Sequence, residues 1–453
     1  MIRLCKEIWD TFLPVELAYK RIYILVFIWL LLVGLNYTLI QIYEGISTTS
    51  YFPFSVFSPS FQVSGMPYAI IFLLVLYFTI KYRFYSNIFS TYILGVSLIV
   101  LANMSLGNIE LALVNPISGG DIQYYHDAIK IDSWKNWLSS FNVIQESLIC
   151  HARTHPPGAV LIEFFLFMVS KNPLWISLVF LFLSSISIVL IYKIFIELGK
   201  DKLFSNKMAF LYVVIPSVNI YSLASLDAII AMLANIVILA MIIIIECKES
   251  KRMVAWGIVS AASMTLVSLL TFGGIYLWAI IGAFSLYLFY FHNNHNILIL
   301  FIGSLVLFLL TVFLLNQTYN YDYFESFFTA SRIENKHGFM LFSQPLNYFV
   351  TRLEDVFEIA VFLSLGIMAF LTTIKYKLQN NVFGILSLIA IVILLLMFLS
   401  GAYKTGETAR ACLFVVGFVL ILLRNIPNSL LTSLISFAAL QTILMQILGF
   451  YFW

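Results

Sequence analysis

Charge is scarce in this sequence: only 10% of its 453 residues are Asp, Glu, Lys or Arg. The net charge is +3, and the positive residues fall in short clusters instead of one basic patch, which excludes a nucleic-acid surface. Cysteine is scarcer still. Cys5, Cys150, Cys247 and Cys412 are scattered with no CxxC pair, so neither a disulfide framework nor a zinc site is indicated. There is no Walker loop, no GxGxxG, no GxSxG, no HExxH and no internal repeat. Nucleotide-driven chemistry therefore has no support, and any reacting group must arrive already activated. The first twenty residues lack a continuous apolar core, which argues against a cleavable signal peptide and for an amphipathic helix on the cytoplasmic surface.

What the sequence does have is hydrocarbon. Apolar residues make up 62% of it, in long runs from residue 21 to the C-terminus, the pattern of an all-α polytopic membrane protein. A spanning helix needs roughly 20 apolar residues, and short cytoplasmic loops collect Lys and Arg. Arg3, Lys6, Lys20 and Arg21 place the N-terminus inside, and Lys81 and Arg83 mark the return after the second run. The third run, about 88 to 106, then leaves residues 107–156 as a long outer loop.

The next apolar stretch, "PPGAVLIEFFLFMVS", is only about fourteen residues and carries Glu163. Read as a span, it would put the dense cluster Lys193, Lys200, Lys202 and Lys207 outside. Read as a re-entrant or interfacial helix, it brings Lys248, Lys251, Arg252, Lys375, Lys377 and Arg424 inside as well. The fold expectation is therefore about 13 transmembrane helices plus one re-entrant or interfacial helix. In this register the polar features gather on one face: the 107–156 loop, Asp227, "TFGG" at 271–274, the loop 317–355 and "GAYKTGETAR" at 401–410.

Each polar feature has a plain reading beside a functional one. Asp121 follows a Gly-Gly turn at the membrane boundary, where partial desolvation makes a carboxylate a better proton acceptor; the plain reading is the N-cap of a helix starting at Ile122. Asp127 and His126 read as solvated residues of that helix, with Asp127 a weaker site candidate. His151, Arg153 and His155 in "HARTHPPG" supply donors suited to phosphate, or else an anchor to anionic headgroups. Asp227 opens an apolar span as an ionisable residue or as a helix cap. Lys404, Glu407 and Arg410 form a cluster in which Glu407 and Arg410, three apart, either pair with each other or bind phosphate. The loop 321–358 reads as an aromatic amphipathic helix on the membrane, and its Arg332 and His337 as surface residues.

The order "SGGDIQYYHDA", "RTHPPGAVLIEFF", "IPSVNIYSLASLDAIIAML" resembles the polyprenyl-phosphate-sugar-dependent glycosyltransferases of the GT-C superfamily, of the dolichyl-phosphate-mannose-protein mannosyltransferase kind. The resemblance covers residues 88–245, and less securely the loop 317–355 and "GETAR". It implies Asp121 as general base, Arg153 and His155 on the phosphate or the acceptor, Asp227 orienting the acceptor or Arg153, and Lys404, Glu407 and Arg410 at the donor phosphate. His151, Asp127 and His337 are secondary candidates. It further implies a polyprenyl-phosphate sugar donor, a glycan, lipid or protein acceptor, contact with membrane lipid, and an active site on the extracytoplasmic face, at the plasma membrane in a prokaryote. No DxD pair is present, since Ile122 and Gln123 follow Asp121, and a divalent metal is left open.

The implied organisation is a surface helix and added hairpin over 1–87, a catalytic core over 88–316, an outer amphipathic loop over 317–355 and C-terminal helices over 356–453. Two rivals predict other chemistry. An O-antigen-type ligase or polymerase would rest on Arg332 and His337, and a lipid-linked sugar transporter or flippase on charges at mid-membrane and inverted internal symmetry.

Overall fold

The computed structural model describes residues 2–452 apart from 44, 47, 248, 337, 374–381 and 402–406, so Lys248, His337, Lys375, Lys377 and Lys404 lie outside the described residues. In hydrocarbon every backbone N–H and C=O must be satisfied within the protein, so the apolar runs form helices. Nine helices among the described residues are long and apolar enough to cross a membrane, from Tyr19–Ile42 to Asn428–Leu448. The chain is an all-α, multi-pass membrane protein. Shorter apolar helices stand beside the nine: Ile88–Met104, Lys202–Val214 followed by Pro216–Tyr221, Leu365–Leu371, and Val415–Leu422. Pro216 accounts for the break after Val214, because it lacks an N–H and holds Ile215 extended.

The hub of the bundle is Leu226–Glu246, buried around nearly its whole circumference between Pro173–Glu197 and Ser250–Leu270. Pairs of basic residues with their partners gather at one end. There Lys81 meets Glu7 at 2.8 Å, Arg252 meets Glu197 at 2.6 Å, and Lys200 donates to Asn425 at 3.0 Å. The long polar segments gather at the other end, where Asn142 and Asp322 exchange two hydrogen bonds of 2.8 and 2.9 Å and Phe272 packs on Tyr323. The two-residue ladder Ser58–Pro59 with Gly449–Phe450 ties the stretch after the first span to the C-terminus.

The diproline segment forms a short helix. Gly158–Phe167 is ten residues, about 15 Å long, or half of the roughly 30 Å hydrocarbon thickness. Both of its ends abut the same pair of tyrosines. The His155 ring lies 5.5 Å from Tyr124, while Phe167 lies 5.2 Å from Tyr125, whose hydroxyl donates to the Lys171 carbonyl at 3.0 Å. Gly158 is needed for its close approach: a Cβ there would sit 2.3 Å from the Leu269 carbonyl oxygen.

The loop 317–355 departs from expectation. Tyr323–Glu334 does lie among the polar segments, but from Pro345 the chain enters the bundle as the continuous helix Pro345–Phe362, which crosses the expected boundary at 355. Thr351, Arg352, Glu354, Asp355 and Glu358 are all buried. A membrane-surface helix would have left these charges in water; instead Asp355 and Glu358 bond to Thr408 and Ala409, and Arg352 to Asp355.

Candidate functional site

The site is built around Arg410, in the short helix Thr408–Ala411. Its Nε lies 3.2 Å from Asp227 Oδ2 and its Nη2 contacts Glu407 Oε2. Asp227 is delivered by the first turn of Leu226–Glu246, where Ser225 caps the helix by accepting the Asp227 N–H at 3.1 Å. Glu407 is three residues before Arg410, and its backbone is left-handed at φ 50. Burial disfavours the Arg410 charge, but Glu407 and Asp227 outweigh it and hold the guanidinium even more firmly protonated than usual.

Above Arg410 lie the two histidines. His155 Nδ1 donates to the His151 carbonyl at 2.9 Å, since a carbonyl can only accept. The neutral ring then keeps its lone pair on Nε2, an acceptor for a proton. Burial, followed by the positive Arg410, pulls His151 well below the ordinary histidine range. Burial also pulls His155 down, against the opposing pull of Asp227. Both rings are therefore neutral at pH 7. Tyr124 packs on both at 5.8 and 5.5 Å, and burial together with Asp227 keeps its hydroxyl protonated.

Of the residues singled out from sequence, His151, His155, Asp227, Glu407 and Arg410 come together here. Asp121 stands just outside: the next residue's carbonyl, Ile122 O, accepts the His151 N–H at 3.4 Å. Its side chain is exposed, so the desolvation expected for it is absent, and the helix beyond is Tyr125–Ala128 with Tyr124 at its N-cap, so the capping reading does not hold either. The turn Gly119-Gly120, with Gly120 at φ 63, leaves this carboxylate in water.

Two other expectations are corrected. Asp227 pairs with Arg410, not with Arg153. Arg153 is fixed through its carbonyl, which accepts from Gln145 at 3.0 Å. Asp127 is buried instead of solvated; it accepts the Ile149 N–H at 2.9 Å and meets Lys130 at 3.5 Å, bracing the histidine segment. Arg332 is exposed and donates to Thr329 at 2.8 Å, as a surface residue would.

The sequence reading missed the layer beneath. Asp355 Oδ1 accepts the Thr408 hydroxyl at 2.7 Å, Asp355 Oδ2 meets Arg352 Nε at 3.1 Å, and Glu358 Oε1 accepts the Ala409 N–H at 3.1 Å. "TRLEDVFE" could have signalled it, since a run with four charged residues leads straight into "IAVFLSL" with no turn residue between. Glu163 was noted only as a flaw in a short apolar run. It is buried on the inward face of Gly158–Phe167, and its Oε2 has no hydrogen-bond partner among the described residues. No group of three or more His, Cys, Asp or Glu side chains among the described residues is placed to hold a metal ion.

No family model, curated protein or solved structure matches the chain. The chemistry must be read from the geometry: a fixed cation held by two carboxylates, two neutral histidines and an exposed carboxylate, converging at one end of a membrane bundle.

Proposed function

We propose that the protein is an integral membrane glycosyltransferase that moves a sugar from a polyprenyl-phosphate donor to an acceptor hydroxyl, at an extracytoplasmic site. The observation that supports this best is Arg410, clamped by Asp227 and Glu407 directly below His151 and His155. A lipid-borne phosphate is an anionic leaving group at the depth of the headgroups. A preorganised guanidinium in a low-dielectric site stabilises the charge that develops on it.

The acceptor hydroxyl must lose a proton. Asp121 is the general base in this reading, reaching over the histidines from its exposed turn, and a positioned base typically contributes about 100- to 10,000-fold. His155, with Nε2 free to accept, orients the hydroxyl. Direct attack inverts the sugar carbon.

The test is mass spectrometry of membrane glycolipids and glycans from cells with the protein, without it, and with Asp121→Asn or Arg410→Lys. Loss of one glycosylated product in all three altered strains, at unchanged protein level, is the expected result. A product that survives Asp121→Asn but not His155→Gln moves the base to His155; a full product profile without the protein ends the reading. The buried set Arg352, Glu354, Asp355 and Glu358 is what a transporter reading would use. Uptake or flipping of a lipid-linked sugar in proteoliposomes, with no covalent product, would favour that alternative.

A further inference from the structure

Ser55 lies in the stretch joining the first two apolar runs, more than 300 residues from the partners it meets in the fold. It is buried, and it uses both of its polar groups on the site. Its N–H donates to Glu358 Oε2 at 3.0 Å, and its Oγ accepts the Glu407 N–H at 2.7 Å. Thr408 is held next by Asp355, and Ala409 by the second oxygen of Glu358. Three consecutive residues are thus each pinned by one hydrogen bond, and Arg410 follows immediately.

The first of these bonds falls where the backbone most needs support. Glu407 is a non-glycine residue at φ 50, ψ 37, a conformation that surrounding structure must hold in place. The Ser55 stretch is itself fixed. Trp29 donates to the Phe52 carbonyl at 2.9 Å, Phe54 packs on Phe362 and Tyr451, and Ser58–Pro59 pairs with Gly449–Phe450.

We infer that Ser55 is a positioning residue of this site: it fixes the left-handed Glu407 backbone and, through it, the Arg410 guanidinium. Residues 49–59 are then a wall of the site and not an appended hairpin. The consequence for turnover rests on the transferase reading above; the positioning itself does not.

Two measurements on the full-length protein in micelles separate these. The first is residue-resolved amide hydrogen exchange across 407–411. Ser55→Ala removes the acceptor of one amide, and Glu407 should exchange about five- to tenfold faster while helix amides elsewhere keep their protection. Ser55→Thr keeps a hydroxyl and should restore protection, with Ser55→Cys between them as a weaker acceptor and as the substitute should Ser55→Ala not fold. The second is transfer kinetics, in which Ser55→Ala should lower kcat about tenfold with KM within about twofold, rescued by Ser55→Thr. Unchanged exchange at 407–411 overturns the inference, as does faster exchange with unchanged kcat. Faster exchange in a protein whose unsubstituted form transfers no sugar leaves the positioning standing and removes the transferase reading instead.

Discussion

Replacing Arg410 by Gln is the sharpest probe of the site, because the structure says which charges it strands. The Glu407 side chain is 2% exposed and the Asp227 side chain 19%, around an Arg410 side chain that is 13% exposed. Removing one partner of a buried pair typically costs 3–5 kcal/mol, mostly from the uncompensated charge left behind. Asp227 can draw in water, so most of the cost falls on Glu407, and we expect a loss of about 3 kcal/mol for Arg410→Gln. The pair Arg410→Gln with Glu407→Gln removes the stranded carboxylate and should recover about 2 kcal/mol of that, which with the single costs makes a coupling of about 3 kcal/mol, at the upper end for directly contacting residues. Glu407→Gln alone leaves Arg410 its Asp227 partner and should cost about 1 kcal/mol. The assay is equilibrium unfolding in mixed micelles for the four proteins, with transfer measured on each. Sugar transfer should be lost wherever Arg410 is gone, whatever the stability. A double variant no more stable than Arg410→Gln would refute the charge-stranding account.

The neutral histidines predict a pH dependence. Unfolded histidine titrates near 6.5, whereas burial and Arg410 hold His151 and His155 lower. Below about pH 6.5 the unfolded chain therefore binds protons that the folded one refuses, so stability is full above that pH and falls on acidification; the double change His151→Gln with His155→Gln should flatten the decline in a melting series from pH 7.5 to 5.5. Two glycines should respond oppositely to alanine. Gly158→Ala meets the Leu269 carbonyl at 2.3 Å and should cost about 2 kcal/mol or more with loss of transfer. Gly303, mid-helix with nothing within 4 Å, should gain about 0.5–1 kcal/mol in the same unfolding assay. Finally, Lys200→Cys and Lys130→Cys should react with an impermeant thiol reagent from opposite compartments; labelling from one compartment would undo the assignment of the two ends.

Much of the architecture was legible because lipid imposes a simple code. A run of apolar residues long enough to cross must be a helix, and Lys and Arg show which end is which. That code also singled out "PPGAVLIEFF" as too short, and the helix there, Gly158–Phe167, is ten residues. It failed at "TRLEDVFE", where the density of charge implied water. Charge excludes a segment from lipid but not from a polar interior, and only the presence of Thr408, Ala409 and Ser55 opposite those carboxylates shows where they reside.

The chain's own order of residues was enough to establish a multi-pass helical protein and to offer the i, i+3 pairing of Glu407 with Arg410, since each follows from groups near one another in sequence; that Ser225, not Asp227, caps the span came from the structure. The tertiary structure alone decided that Asp227 faces Arg410 and not Arg153, that Asp127 is a buried brace, and that Ser55 reaches the site from the far end of the chain. Those pairings join helices distant in sequence, and their register is set by side-chain packing and by the need of every buried charge for a partner, neither of which any short stretch of residues contains.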